Sequence, residues 1–342
     1  MSITNPAIMT QLLKIGLLAA ASFGIALGVT PVFTYFAYKY QWWKKIRGKN
    51  MNGDETPVFN KLHGEKHKRN IPTMAGVIIW GTVVILTVIF NLSRAQTWLP
   101  LFTIMSVGLL GIVDDVVNIR SAGNGVGGLK AKIKMSWLLV IALVGALWFY
   151  FKLGYNTVDV PFVGGIHIGW LYILLFILVF VSSANAVNIT DGLDGLSGGL
   201  LSASFLTFLI IAFFQGNYGL AVFCATLIGA ILAYTWFNIY PARFFMGDTG
   251  AVSLGATLGV VAMLTNSVLI LPIVGLVFVI ETLSVILQLV SKKVFKKKLF
   301  ISSPIHHHFE AKGWPETKVT MRFWIVGAIA CVLGLVLRFI YG

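Results

Sequence analysis

At 342 residues, 57% hydrophobic and only 11% charged, the chain is too apolar for a soluble globular domain. Its formal net charge of +14 accompanies a mean hydropathy of +0.86, so the basic excess points to membrane topology and anionic headgroups, and nucleic acid is set aside as a partner. Cys224 and Cys331 both fall inside apolar runs, which excludes a disulfide framework or a thiolate metal site.

Apolar runs long enough to cross ~30 Å of hydrocarbon as helices are predicted at 12–36, 71–91, 97–115, 135–153, 168–187, 197–215, 218–238, 250–266, 268–291 and 321–341. They describe an all-α integral membrane protein of about ten transmembrane helices in a single domain over 1–342, with no internal repeat. The first run has no basic stretch before it and the basic loop KKIRGK after it, so it is an uncleaved span and not a signal peptide. Between the eighth and ninth runs only Asn266, Ser267 and Pro272 interrupt the apolar pattern, which leaves a kinked helix or a re-entrant segment open. The segments 37–70, 116–134, 239–249 and 292–322 carry 22 of the 26 Lys and Arg. Positive charge is retained in the cytoplasm, so these segments are predicted to be cytoplasmic and both termini to lie outside.

The polar residues at the helix ends follow in chain order. GIVDDVVNIR closes the third run with Asp114 and Asp115, which on a helix point about 100° apart and so serve different neighbours. AGNGVGGLKAKIK contains a formal GxGxxG, but no strand precedes it, so a dinucleotide loop is rejected. Its Lys130, Lys132 and Lys134 contact phosphates or anchor the topology. NAVNITDGLDGLSGG (185–199) concentrates Asn188, Asp191 and Asp194 among glycines, a pattern suited to reading a nucleobase edge or ligating a metal with backbone close to the ligand. WFNIYPARFFMGDTG (236–250) places Asp248 just ahead of a helix N-terminus, with Asn238 and a candidate stacking ring, Phe245, nearby. Glu281, inside the ninth run, is expected to pair with Ser284 or Gln288 on its own helix face. KKVFKKKLF (292–300) is an interfacial anchor for anionic lipid. His306, His307 and His308 are consecutive, which does not suit convergent zinc ligation, and they are expected in a rigid loop that offers imidazoles to phosphate or sugar.

Asp114, Asp115, Asp191, Asp194 and Asp248 thus form a shallow ring on one side of the membrane. A transporter would place ionisable groups near the midplane. Such a ring repels itself unless a cation neutralises it, and all-oxygen ligands suit Mg²⁺, which in turn suggests phosphate chemistry between a soluble substrate and a lipid head.

With IPTMAGV near residue 71, FVIETLSVILQ, and PIHHHFEAKGWPETKVTMRFW, these segments resemble the phospho-N-acetylmuramoyl-pentapeptide transferases, within the polyprenyl-phosphate N-acetylhexosamine-1-phosphate transferase superfamily. The histidine run is specific to the muramoyl branch, and the likeness covers most of the chain. It implies a Mg²⁺-dependent transfer from UDP-N-acetylmuramoyl-pentapeptide to undecaprenyl phosphate, releasing UMP, by a homodimer in the bacterial inner membrane with its active site on the cytoplasmic face. By motif, Asp248 and Asp115 are implied as Mg²⁺ ligands, and Asp114 and Asp115 serve the lipid phosphate. Asn188, Asp191, Asp194, Asn238 and Phe245 match the nucleoside and metal-site segments, and Lys68 and Lys134 are further substrate-binding candidates. His306, His307 and His308 match the catalytic histidine motif, and YNTVDVPFVGGIHIG (155–169) matches a periplasmic hairpin. Asn118 and Gly127 stand where the family usually carries lysines, Ile71 replaces a Thr, and Ala75 replaces a Gly.

Overall fold

A computed structural model describes residues 6–43, 70–121 and 127–341. Its helices are α1 (Pro6–Lys39), α2 (Gly76–Phe90), α3 (Trp98–Arg120), α4 (Ala131–Phe151), α5 (Leu171–Thr190), α6 (Leu196–Phe214), α7 (Tyr218–Asn238), α8 (Asp248–Leu264), α9 (Leu271–Val274), α10 (Leu276–Val294), α11 (Ile305–Ala311) and α12 (Glu316–Tyr341). Seven of these, α1, α3, α4, α5, α6, α7 and α12, are long and apolar enough to cross a membrane. Helices α2 and α8 are apolar but shorter, at 15 and 17 residues. The run predicted at 268–291 is two helices: Asn266 has φ 47, Pro272 lies in the first turn of α9, and Gly275 joins α9 to α10.

The helices alternate in direction. At one end, Thr73 N–H donates to Trp42 O at 2.7 Å and Ala75 N–H to Phe245 O at 3.1 Å, Thr249 N–H reaches Asp115 at 3.1 Å, and Gly195 N–H reaches Asn238 at 2.9 Å. This end therefore gathers the C-termini of α1, α3, α5 and α7 with the N-termini of α2, α4, α6 and α8. The opposite end is tied by Asn91 to Gly219 O at 2.7 Å, Gln215 to Thr265 O at 2.8 Å, and the Tyr155 hydroxyl to Leu264 O at 3.1 Å. There an antiparallel hairpin, β1 (Thr157–Val160) with β2 (Gly164–His167), pairs Thr157 with His167 and Val160 with Gly164. Arg338 of α12 holds it through Asp159 at 3.2 Å.

Helix α8 occupies the centre, and every residue from Thr249 to Leu264 is buried. Small residues make that possible, because neighbours approach to backbone contact. A Cβ added at Gly76 would lie 2.2 Å from Gly250 Cα, one at Gly111 2.3 Å from Thr249 Cα, and one at Gly255 2.5 Å from Ser183 O. Two hydroxyls on α8 are satisfied within the helix, Ser253 donating to Thr249 O at 2.6 Å and Thr257 to Ser253 O at 2.7 Å, so their burial leaves neither donor stranded.

Gly111→Ala is expected to lower the thermal unfolding midpoint of the detergent-solubilised protein, since overpacking of this kind costs about 1–3 kcal/mol. Gly81→Ala, where an added Cβ meets nothing within 4 Å, is expected to leave the midpoint unchanged or raise it, because Ala is the better helix former.

Candidate active site

The acidic end of the bundle holds two clusters. In the first, Asp114 and Asp115 lie in the last turns of α3 and diverge as adjacent helical positions must. Asp115 is fully buried and accepts the Thr249 N–H through Oδ2, so it anchors the start of α8. Gly247, with φ 72, brings its backbone so near that an added Cβ would sit 2.5 Å from the same oxygen. The Thr249 hydroxyl donates to Gly108 O at 2.9 Å and accepts from Trp80 at 3.2 Å, which fixes α8 against α2 and α3.

Asp114 faces the other way. Its Oδ1 accepts the Leu129 N–H at 2.8 Å, and its Oδ2 lies 3.7 Å from Lys134 Nζ. Lys134 also ion-pairs with Asp248, the first residue of α8. Asp114 and Asp248 are close enough for their charges to repel, and the Lys134 ammonium stands between them. A cation therefore already occupies the position where the two carboxylates converge. Among the described residues no set of three or more His, Cys, Asp or Glu forms a ready-made metal cage. Two carboxylates fit Mg²⁺, which retains several waters and takes only one or two protein oxygens.

The second cluster is the turn between α5 and α6. Asp191 accepts the Ser197 hydroxyl. Asn188, three residues earlier on α5, is half-buried. Asp194 is turned inward: its Oδ2 accepts the Ala242 N–H at 3.0 Å, and its own N–H donates to Glu316 at 2.6 Å. Asn238 is also buried, with Oδ1 on Gly195 N–H and Nδ2 on Phe244 O, each at 2.9 Å. Asp194 and Asn238 therefore brace the turn from within, through Ala242 N–H, Gly195 N–H and Phe244 O. Phe245 is half-buried, its N–H donating to Pro72 O at 2.8 Å, whereas Phe244 packs edge-on against Phe33 in the core at 5.8 Å.

Sequence reasoning missed the brace on the far side of this turn. Glu316, Thr320 and Trp324 are spaced four apart on α12, so they share one helix face. Thr320 donates to Asp194 O at 3.3 Å and Trp324 to Gly195 O at 3.2 Å. A polar and aromatic stripe at that spacing on a membrane helix was the available signal.

The histidines are not in an open loop. They form the short helix α11, where His306 and His307 are buried. His306 Nδ1 lies 3.0 Å from Glu281 of α10, and both side chains are fully buried. The partners expected for Glu281 are engaged elsewhere: Ser284 donates to its backbone oxygen at 2.7 Å, and Gln288 Oε1 accepts from Leu299 and Phe300, each at 2.9 Å. His307 pairs with Glu310 at 2.7 Å. His308 Nδ1 accepts the Ile301 N–H at 3.2 Å. Burial and the nearby Lys312 hold His308 below the usual imidazole range, in keeping with that accepting role. Lys68 and the first glycines of the GxGxxG stretch, Gly123 and Gly125, lie outside the described residues.

A family model described as glycosyl transferase family 4 matches residues 97–266. A phospho-N-acetylmuramoyl-pentapeptide-transferase of Chloroflexus aggregans (strain MD-66 / DSM 9485) is 38% identical, covering 100% of this chain and 94% of its own length. One of Geobacillus sp. (strain WCH70) is 39% identical over 92% of this chain and 94% of its own length. One of Syntrophus aciditrophicus (strain SB) is 40% identical over 78% of this chain and 80% of its own length.

Asn238→Ala removes an acceptor from Gly195 N–H and a donor from Phe244 O, so a loss of about 1–3 kcal/mol of stability is expected. Thermal unfolding in detergent without substrate checks it. An unchanged midpoint would return Asn238 to a purely ligand-facing role.

Proposed function

The chain belongs to the phospho-N-acetylmuramoyl-pentapeptide-transferase family, multi-pass membrane transferases of peptidoglycan synthesis, and from that premise we propose the reaction in detail. The donor is UDP-N-acetylmuramoyl-pentapeptide, the acceptor undecaprenyl phosphate, and the products are lipid I and UMP. A phosphate oxygen of the acceptor attacks the β-phosphorus of the donor in line. The new P–O bond forms as the bond to the UMP oxygen breaks, so the leaving charge departs on UMP.

The observation that carries this reading is the convergence of Asp114, Asp248 and Lys134 at the N-terminus of α8. The Lys134 ammonium neutralises donor phosphate, and the dipole of α8 favours negative charge at its N-terminus. Asp114 orients the acceptor phosphate and takes its proton if it arrives protonated. Asp114 and Asp248 would hold Mg²⁺, with Asp115 behind them fixing the backbone that carries Asp248. Magnesium, when bound, screens the diphosphate and the charge that develops on the leaving group. Asn188 and Asp191 face the nucleoside, and the Phe245 ring supplies a stacking surface. With Asn118 and Gly127 in place of the usual lysines, Lys134 carries more of the phosphate charge here.

An apolar cavity of about 230 Å³, lined by Val187 of α5, Leu258 of α8, Pro272 of α9, and Phe278 and Leu283 of α10, supports an isoprenoid acceptor. Val187 is adjacent to Asn188, so a chain lying there directs its head toward the acidic end. The gathering of basic segments at that same end supports a cytoplasmic active site with both termini outside. Ten spans and a homodimer complete the proposal; the homodimer rests on the family resemblance.

Detergent-purified protein given both substrates is expected to release UMP only with Mg²⁺ and only with the muramoyl donor. Asp248→Asn and Asp114→Asn are each expected to reduce that rate by roughly a hundredfold or more, the scale of losing a charge-stabilising group. Release only with UDP-N-acetylglucosamine would move the chain to a sister activity, and Mg²⁺-independent release would overturn the role of the two carboxylates.

A further inference from the structure

Glu281 has no part in the chemistry above, yet a carboxylate buried in the middle of an apolar helix is costly unless it is paired. Its carboxylate lies 3.0 Å from Nδ1 of His306, which is equally inaccessible. An ionised carboxylate only accepts, so Nδ1 of His306 donates to it, and in the neutral imidazole Nε2 is left as an acceptor. Among the described residues that Nε2 has no hydrogen-bond partner. It is aimed at the turn between α5 and α6, where an added Cβ on Gly192 would meet it at 2.4 Å. Gly192 directly follows Asp191 and lies two residues before Asp194. The imidazole edge is thus a wedge against the backbone of the nucleoside-facing turn, and its orientation is set from 25 residues away in the chain.

The other two histidines do not share this geometry. His307 is held by Glu310 within α11, and His308 by the Ile301 N–H. His306 instead reaches across to α10 on one side and to Gly192 on the other.

We infer that Glu281 is a positioning residue for donor binding, acting through His306 to set the Asp191–Asp194 turn, with the absence of a side chain at Gly192 providing the room. This rests on the proposal that the turn receives the UDP-linked donor. Nothing in the arrangement requires His306 to touch substrate, because it is fully buried behind the turn. The consequence is a division of roles: truncating Glu281 or His306 weakens donor binding and leaves acceptor use little changed, whereas a catalytic histidine would affect turnover at saturating donor.

The test measures UDP-N-acetylmuramoyl-pentapeptide binding to the detergent-purified full chain by calorimetry, together with donor and acceptor KM and kcat. Glu281→Ala and His306→Ala are expected to raise the donor Kd roughly tenfold, with the acceptor KM within about twofold, while Glu281→Gln, which still accepts from Nδ1, recovers most of the affinity. Gly192→Ala is expected to weaken donor binding by a similar factor in the native background and by roughly twofold or less in His306→Ala, since removing the ring removes the clash. This cycle decides the matter even if Glu281→Ala does not fold. Additive losses for Gly192 and His306, or donor Kd unchanged while kcat falls, would overturn the inference. If the native chain itself does not bind this donor but turns over another, the proposed reaction fails, and the same cycle run with that other donor decides the role of Glu281.

Discussion

The constraint on which this molecule depends is that α8 has no side left for lipid. All sixteen residues from Thr249 to Leu264 are enclosed, so α2, α3 and α5 must come to backbone distance of it. Glycine at 76, 111, 250 and 255 is what permits such contact. The enclosure then determines where the carboxylates lie. Asp248 starts α8, Asp115 binds the N–H of the next residue, and Asp114 is carried past them on the adjoining position of α3. Packing of small residues around the first turns of α8 is therefore the cause of the acidic convergence beside it.

Charge balance follows from that geometry. Two carboxylates that repel each other are bridged by Lys134, and Asp114 is also clasped by the Leu129 N–H. The segment before α4 is folded back onto Asp114 tightly enough that a Cβ at Gly128, whose φ is 84, would lie 3.0 Å from both carboxylate oxygens. A glycine that looked like part of a loose GxGxxG stretch thus has a specific steric role. The same fold-back brings the lysine of the first turn of α4 over the acids, which spacing along the chain did not reveal.

Much of the architecture was legible because hydrocarbon thickness fixes the length of an apolar run and because acids beside such runs stand out. The positions of Asp114, Asp248 and the glycine-rich turn at helix ends were readable on those grounds alone. What was not readable is which buried polar group opposes which. Helical spacing suggests neighbours on one face, so Glu281 was matched to Ser284 and Gln288, whereas a partner 25 residues away on another helix was invisible. Asn238 meets the same limit. An amide beside a glycine-rich turn suits a ligand or the turn itself, and only the fold shows that Gly195 N–H and Phe244 O take both of its ends.

The turn at 191–195 receives support from three elements that are far apart in sequence, α7, α11 and α12. From one direction Glu316, Thr320 and Trp324 hold its backbone through Asp194 and Gly195; from another, Asn238 holds Gly195 and His306 abuts Gly192. Gly195, with φ 78, sits at the N-cap of α6, in a conformation most residues avoid. A turn of this kind, rich in glycine, has the largest conformational entropy to lose on ordering. Bracing it from several sides removes that freedom before a ligand arrives, so that Asn188 and Asp191 are held in place by residues that need not contact substrate at all. On the proposed reaction, preorganisation of this type accounts for a histidine helix and a buried glutamate lying behind the turn.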